Sequence, residues 1–428
     1  MSRSPIKLNR RQLLAGAGAA TTALAFPHVW IPSTAHAQTS GHGALRHLLY
    51  IQLRGGFRFT CAFNGEVAPR FNPYGLTGMR APGTQWGVSA LLERAGWLQG
   101  EEGQARARLG MKPVHLFSNE MAVLPCVDHE PLGPEADGDH ATALQRFITG
   151  QAGGSTSFLS LLNWGLRQRM ARAAAEGRFP LPAVSLGHEG MAAGSGPYAG
   201  SRPPVLEADS AGRLLATRRD TTTYGRVLGS DVLKVGNGST QVVDGITNQE
   251  LETMLGTDST GRRAALALRL FHLGCPAAFF TQGDYDLHSG EGTRLPSAME
   301  ELNRLLSGLH AALKRMRHED GTSYWDTTLV VLGSEFGRGS GERSFNPEGG
   351  SDHGTDLATR WMSMPLMGGL VTAAGKGGAR LGETRAHDLV ASGPVYSYRS
   401  VLKTMMDLLG ADHSHAFPAD APIEGLFA

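Results

Sequence analysis

Asp284, Asp286 and His288 fall in one short run, Thr281-Gln282-Gly283-Asp284-Tyr285-Asp286-Leu287-His288. Two carboxylates and an imidazole at this spacing are the groups that a divalent metal or a general acid–base pair requires. The same residues would equally serve an Asp-rich turn ahead of a helix. A second run, Gly333-Ser334-Glu335-Phe336-Gly337-Arg338, sets a carboxylate near a guanidinium, suited to ligand binding or to a buried ion pair. Farther on, Gly349-Gly350-Ser351-Asp352-His353-Gly354 places an Asp-His pair in a glycine loop, where backbone can approach a ligand closely. Upstream, Asp139 and His140 open a helical pattern that Gly150 ends. The start of that helix would favour an oxyanion or phosphate, or Asp139 is simply its cap.

Two of these groups follow apolar runs that read as buried strands, Ala277 to Phe280 and Leu329 to Leu332. Similar runs occur at Leu48 to Leu53, Val114 to Phe117 and Ala183 to Leu186. They alternate with helical patterns at Phe158 to Ala175, Arg262 to Leu273, Ser297 to Arg317 and Tyr398 to Leu409. This alternation predicts an α/β fold with a largely parallel sheet. In such sheets ligands sit beyond the carboxyl ends of the strands, where the candidate residues fall. Ala192 to Gly245 lacks long apolar runs and reads as a loop-rich insertion at the sheet's rim.

With 428 residues, 41% hydrophobic and 18% charged, the chain can bury a large core, and residues 38–428 read as a single domain. Lys and Arg number 40 against 39 Asp and Glu, a balance that argues against a protein held to nucleic acid by phosphate neutralisation. Glycine is abundant, but without the period of collagen or a solenoid. Residues 1–37 read as a secretory leader: Arg3, Lys7, Arg10 and Arg11 precede a weakly apolar stretch, and Ala35-His36-Ala37 supplies a cleavage pattern. The Arg10-Arg11 pair resembles a twin-arginine signal, with Asn9 and Leu13 in place of the usual Ser or Thr and Phe. The stretch is short for a membrane span and is interrupted by Gly16, Gly18, Thr21 and Thr22, so no stable span is expected after cleavage. Cys61, Cys126 and Cys275 have no zinc-ribbon spacing and read as buried, inert thiols.

Taken together, these marks resemble the DUF1501 group of exported proteins of unknown function, which belong by fold to the alkaline phosphatase and sulfatase superfamily. The resemblance rests on Leu53-Arg54-Gly55-Gly56, Asp284-Tyr285-Asp286-Leu287-His288, Ser334-Glu335-Phe336-Gly337-Arg338 and Ser351-Asp352-His353-Gly354. It implies an alkaline phosphatase-like three-layer sandwich with helices on both faces of the sheet. It also implies a metal site drawn from Asp284, Asp286, His288, Glu335, Asp352 and His353. His140 stands where that superfamily has a Ser, Thr or Cys nucleophile, and Glu335-Phe336 where it has an Asp-His pair. Phe57-Arg58-Phe59 replaces the first metal-binding aspartate with a cation, which disfavours a second ion. Arg58 would instead hold an anionic substrate group bidentately.

The resulting expectation is an exported, metal-dependent hydrolase of phosphate or sulfate esters, or of another anionic substrate, with an atypical one-metal site. In it, His140 and Arg58 act on the substrate, Arg58 and Arg338 bind it, and a divalent ion is the cofactor. The alternative is a non-hydrolytic periplasmic protein on the same fold that binds a metal, with or without a role in maturation, or binds a partner protein. Either form would be periplasmic or secreted and would meet the twin-arginine translocase during export.

Overall fold

The computed structural model describes residues 44–94, 100–128, 139–175, 181–208, 214–216, 241–243, 245–338, 353 and 361–427. The expected leader (1–37), Asp352 and much of the expected insertion lie outside the described residues.

Eleven strands are described: β1 (His47–Leu53), β2 (Met121–Asp128), β3 (Val184–Leu186), β4 (Val205–Ala208), β5 (Leu214–Ala216), β6 (Gln241–Val243), β7 (Ile246–Thr247), β8 (Ala277–Gln282), β9 (Thr328–Gly333), β10 (Trp361–Met367) and β11 (Tyr396–Ser397). Nine of them form one sheet in the order β11-β2-β10-β9-β1-β8-β3-β4-β5, and β6 pairs with β7. β1 lies parallel to both β8 and β9, and β3 is parallel to β8 and β4. β10 runs antiparallel to β2 and β9, and β5 antiparallel to β4, so the sheet is parallel at its centre and mixed toward its edges.

The five longest described helices are α1 (His140–Thr149), α2 (Phe158–Ala175), α3 (Ser259–His272), α4 (Glu291–Arg315) and α5 (Tyr398–Leu408). They cover both faces of the sheet, as β1 demonstrates. The Tyr50 ring lies 5.3 Å from Phe147 of α1 and 6.2 Å from Phe158 of α2, and its hydroxyl is 2.6 Å from that of Tyr398 at the start of α5. Three residues back, His47 has the opposite parity and stacks 4.7 Å from Phe271 of α3. Every residue of β1 is buried, as a strand covered on both faces requires. The expected α/β sandwich with helices on both faces is therefore observed.

Three elements differ from expectation. Val114 to Leu116 forms a short 3-10 helix after Pro113, with the Val114 N–H donated to Asn303 Oδ1 at 2.8 Å. The strand of this region is β2, which carries Pro125. Proline cannot donate to a ladder, and here it falls where the β10–β2 register shifts between Met362 and Met364, a bulge that absorbs the missing donor. α4 begins at Glu291, ahead of Pro296, and continues through it at the cost of one intrahelical bond. The described part of the expected insertion supplies β4 and β5 at one sheet edge. Cys61, Cys126 and Cys275 are free and buried, and burial pushes each thiol up to about 12. No described helix is long and apolar enough to cross a membrane.

Candidate metal centre

β1, β8 and β9 are adjacent and parallel, so their carboxyl ends deliver three loops to one place. The β1 loop turns at Gly55 and Gly56, with φ of 96° and 80°. A Cβ at Gly55 would lie 2.5 Å from the Asp286 nitrogen, and one at Gly56 would lie 2.3 Å from the Phe336 ring. Glycine is therefore required where the β1 loop packs against the loops after β8 and β9. The N-terminus of α1 enters the same space. Asp139 caps α1 by accepting the Thr142 N–H at 2.8 Å, which fixes His140 as the first helical residue.

His140, Asp286, His288 and His353 converge there, each offering one ligand atom, and these atoms lie within 4.8 Å of one another. The His288 Nε2 atom is 2.9 Å from Asp286 Oδ1 and 3.1 Å from His353 Nε2. His140 Nε2 lies 3.4 Å from the same carboxylate oxygen, and His353 Nε2 lies 3.9 Å from it. Phe336 stacks on His353 with ring centres 4.4 Å apart and leans on His140 at 4.9 Å. In the position where the resemblance suggested a missing histidine, this chain supplies a packing surface.

Three imidazole nitrogens and a carboxylate oxygen form a donor set that suits zinc or another first-row divalent ion. The polar atoms support that fit. His140 Nε2 is buried without a hydrogen bond, an orphan that a bound ion would satisfy. Burial and the nearby Arg338, His140 and His288 push the His353 pKa down to about 4, so its ring is neutral and free to ligate at pH 7. Burial works to raise the Asp286 pKa, but Arg338 and the three imidazoles outweigh it and keep the carboxylate ionised.

Glu335 takes a different place from the one expected of it. Its Oε1 lies 3.5 Å from His140 Nδ1 and accepts the Gly55 N–H at 2.7 Å, while Oε2 accepts the Gln52 amide at 3.1 Å. It therefore sits behind His140, on the side away from the cluster, and orients the ring as carboxylates behind metal-binding histidines do. The hydrogen bond to Glu335 raises the His140 pKa. Burial pushes Glu335 itself upward, and its bonds to His140, Gly55 and Gln52 overcome that push and hold it ionised.

Asp284 and the two arginines also depart from expectation. Asp284 is exposed and stays outside the cluster; its Oδ1 accepts the Asp286 N–H at 3.4 Å, so it shapes the turn. Arg58 is buried and bonds Glu291 through Nε and Nη2 at 2.9 and 3.2 Å, leaving no open fork for a substrate. Arg338 is also buried: its Nε reaches the Gly55 and Gly56 carbonyls at 3.0 Å and its Nη2 binds Asp286 Oδ1. It braces the loop and the carboxylate without facing the cleft. Two contributors escaped the sequence reading. Gln52 is the lone polar residue within the apolar run of β1, a visible anomaly, whereas the Gly55 N–H has no side-chain signature.

The cluster opens into a cleft of about 770 Å³ whose lining includes His140, Asp284, Asp286 and Glu335 together with Arg54, His188 and Arg263. Two solved structures show remote likeness. The lipoteichoic acid synthase LtaP from Listeria monocytogenes is 12% identical, with 90% of this chain and 76% of that chain covered and a TM-score of 0.33. The alkaline phosphatase from the Antarctic bacterium TAB5 is 11% identical, with 76% and 92% covered and a TM-score of 0.29. No curated protein matches the chain. Residues 238–422, the segment that carries Asp286, His288, Glu335, Arg338 and His353, match the model of DUF1501, a family of proteins of unknown function.

Proposed function

We propose that the protein is a metal-dependent hydrolase of anionic esters, phosphate or sulfate, with a single-ion site held by His140, Asp286, His288 and His353. The convergence of four ligand atoms within 4.8 Å, from the loop after β8, the start of α1 and His353, brought together from distant parts of the chain, carries this reading. A bound divalent ion would supply Lewis acidity and a nucleophilic water at neutral pH. The chain's own residues do the rest. Glu335 fixes the tautomer and direction of His140, Arg338 and Asp284 set the turn that presents Asp286, and Phe336 shields two of the imidazoles from water. The first residue of α1 is His140, whose ring joins the cluster, and in this reading it serves as a ligand.

Purified protein supplied in turn with zinc, manganese and other divalent ions is expected to hydrolyse aryl phosphates or aryl sulfates, and Asp286→Asn to lose at least a hundredfold in kcat/KM. Absence of turnover with every ion and both ester classes would overturn the hydrolytic reading. The Arg338–Asp286 pair favours a second one, in which the pocket binds a metal or partner without hydrolysis, because the guanidinium already occupies one lone pair of the central carboxylate.

A further inference from the structure

The cleft is larger than the cluster needs, and its lining carries both signs of charge. Beside Asp284, Asp286 and Glu335 it holds Arg54, His188 and Arg263. Arg54 directly follows β1 and is exposed, and none of the described carboxylates pairs with it. Arg263 of α3 donates through Nη2 to Glu207 Oε1 at 2.9 Å, while its Nε is buried without a hydrogen bond. His188, in the same lining, keeps a buried Nδ1 that also has no hydrogen-bond partner. Gly187 makes room for this group, since a Cβ there would fall 2.3 Å from Glu207 Oε1 and 2.4 Å from Arg263 Nη2.

Arg263 has one carboxylate partner, Glu207, and Arg54 has none among the described residues, so the two guanidiniums keep capacity for an anion. The unsatisfied buried Nε of Arg263 points the same way, because a buried donor costs free energy until an acceptor arrives. We propose that Arg54, His188 and Arg263 form a second anion subsite, so that the substrate class is an ester carrying two anionic groups: a scissile phosphate or sulfate at the His–Asp cluster and a second, uncleaved one at Arg54. This rests on the hydrolase reading above and deepens it. A guanidinium fork suits phosphate and sulfate oxygens alike.

The test is equilibrium binding to the metal-supplemented protein of alkane-α,ω-bisphosphonates of increasing chain length, against the matching monophosphonates. One chain length is expected to bind at least tenfold more tightly than its monophosphonate, and Arg54→Ala to bring that ratio close to one. Arg54 is exposed, so the variant should keep the wild-type melting temperature, which is measured alongside. A ratio near one at every length in the wild type, or a ratio that Arg54→Ala leaves unchanged, overturns the second subsite. Failure of the hydrolase reading has a separate signature: monophosphonate affinity that His288→Ala does not change. Where His288→Ala leaves it unchanged, a monophosphonate affinity that Arg54→Ala lowers at least tenfold supports the subsite by itself, and one that neither variant lowers overturns it.

Discussion

Glu335 accepts hydrogen bonds from a strand side chain and a loop N–H and also faces the His140 ring, so one carboxylate ties β1, β9 and α1 to a single imidazole. Residue type alone made it a candidate ligand; only the direction in which it points made it a positioning group. Glu335→Gln keeps the shape and removes the charge, and is expected to weaken metal binding by about 10- to 100-fold while all four ligands remain. Competition against a chelator of known affinity measures this, and an unchanged affinity would detach Glu335 from the site. At this scale the sequence was most legible for the ligand types. Asp286, His288 and His353 were all read from their strand-end or glycine-loop settings, and they meet. Asp284, Arg58 and Arg338 were read from the same kinds of setting and serve a turn, a buried ion pair and a half-buried one, because spacing does not reveal which carboxylate a guanidinium will find.

At the scale of elements, the Arg58–Glu291 pair fastens the loop after β1 to the first residue of α4, with both side chains almost wholly buried. Breaking such a pair leaves one uncompensated buried charge. Arg58→Met is therefore expected to cost about 3–5 kcal/mol in urea unfolding, and addition of Glu291→Leu to recover most of the loss. A substrate-binding Arg58 would show the reverse pattern, unchanged stability with a raised KM. The elements themselves were legible where one periodicity ruled. α2 has the expected ends, and β1, β8 and β9 lie close to their expected spans. β2 and β10 have no counterpart among the expected strands; each carries a proline, Pro125 and Pro365, and the register shift that admits Pro125 depends on a partner strand more than 200 residues away.

Across the whole molecule, the sheet is sealed on both faces, and some of its buried groups set how the fold responds to acid. His47 at the start of β1 stacks between Phe271 and Tyr324, with Nδ1 bonded to the Cys275 carbonyl at 2.7 Å, and burial pushes its pKa down to about 3. The unfolded chain takes up a proton near pH 6.5 and the folded chain does not until about pH 3. Stability is thus complete above pH 6.5 and falls as the pH drops through that window, by about 2 kcal/mol at pH 5 from this residue alone. His47→Gln is expected to flatten the slope of unfolding free energy between pH 6 and pH 4 by about one proton, measured by urea titration at each pH. Equal slopes would mean that His47 titrates normally.

The strand-end rule pointed to Asp286 and His288 from sequence alone, while the lining that includes Arg54, His188 and Arg263 emerged only when three separate segments came together. The most direct test of the central claim is metal content. Elemental analysis of protein purified in the presence of divalent ions and then gel-filtered is expected to give close to one ion per chain. The His288→Ala, His353→Ala double variant is expected to give almost none while keeping its fold by circular dichroism. A folded wild type that retains no ion under these conditions, or a double variant that retains as much as the wild type, would contradict the metal centre.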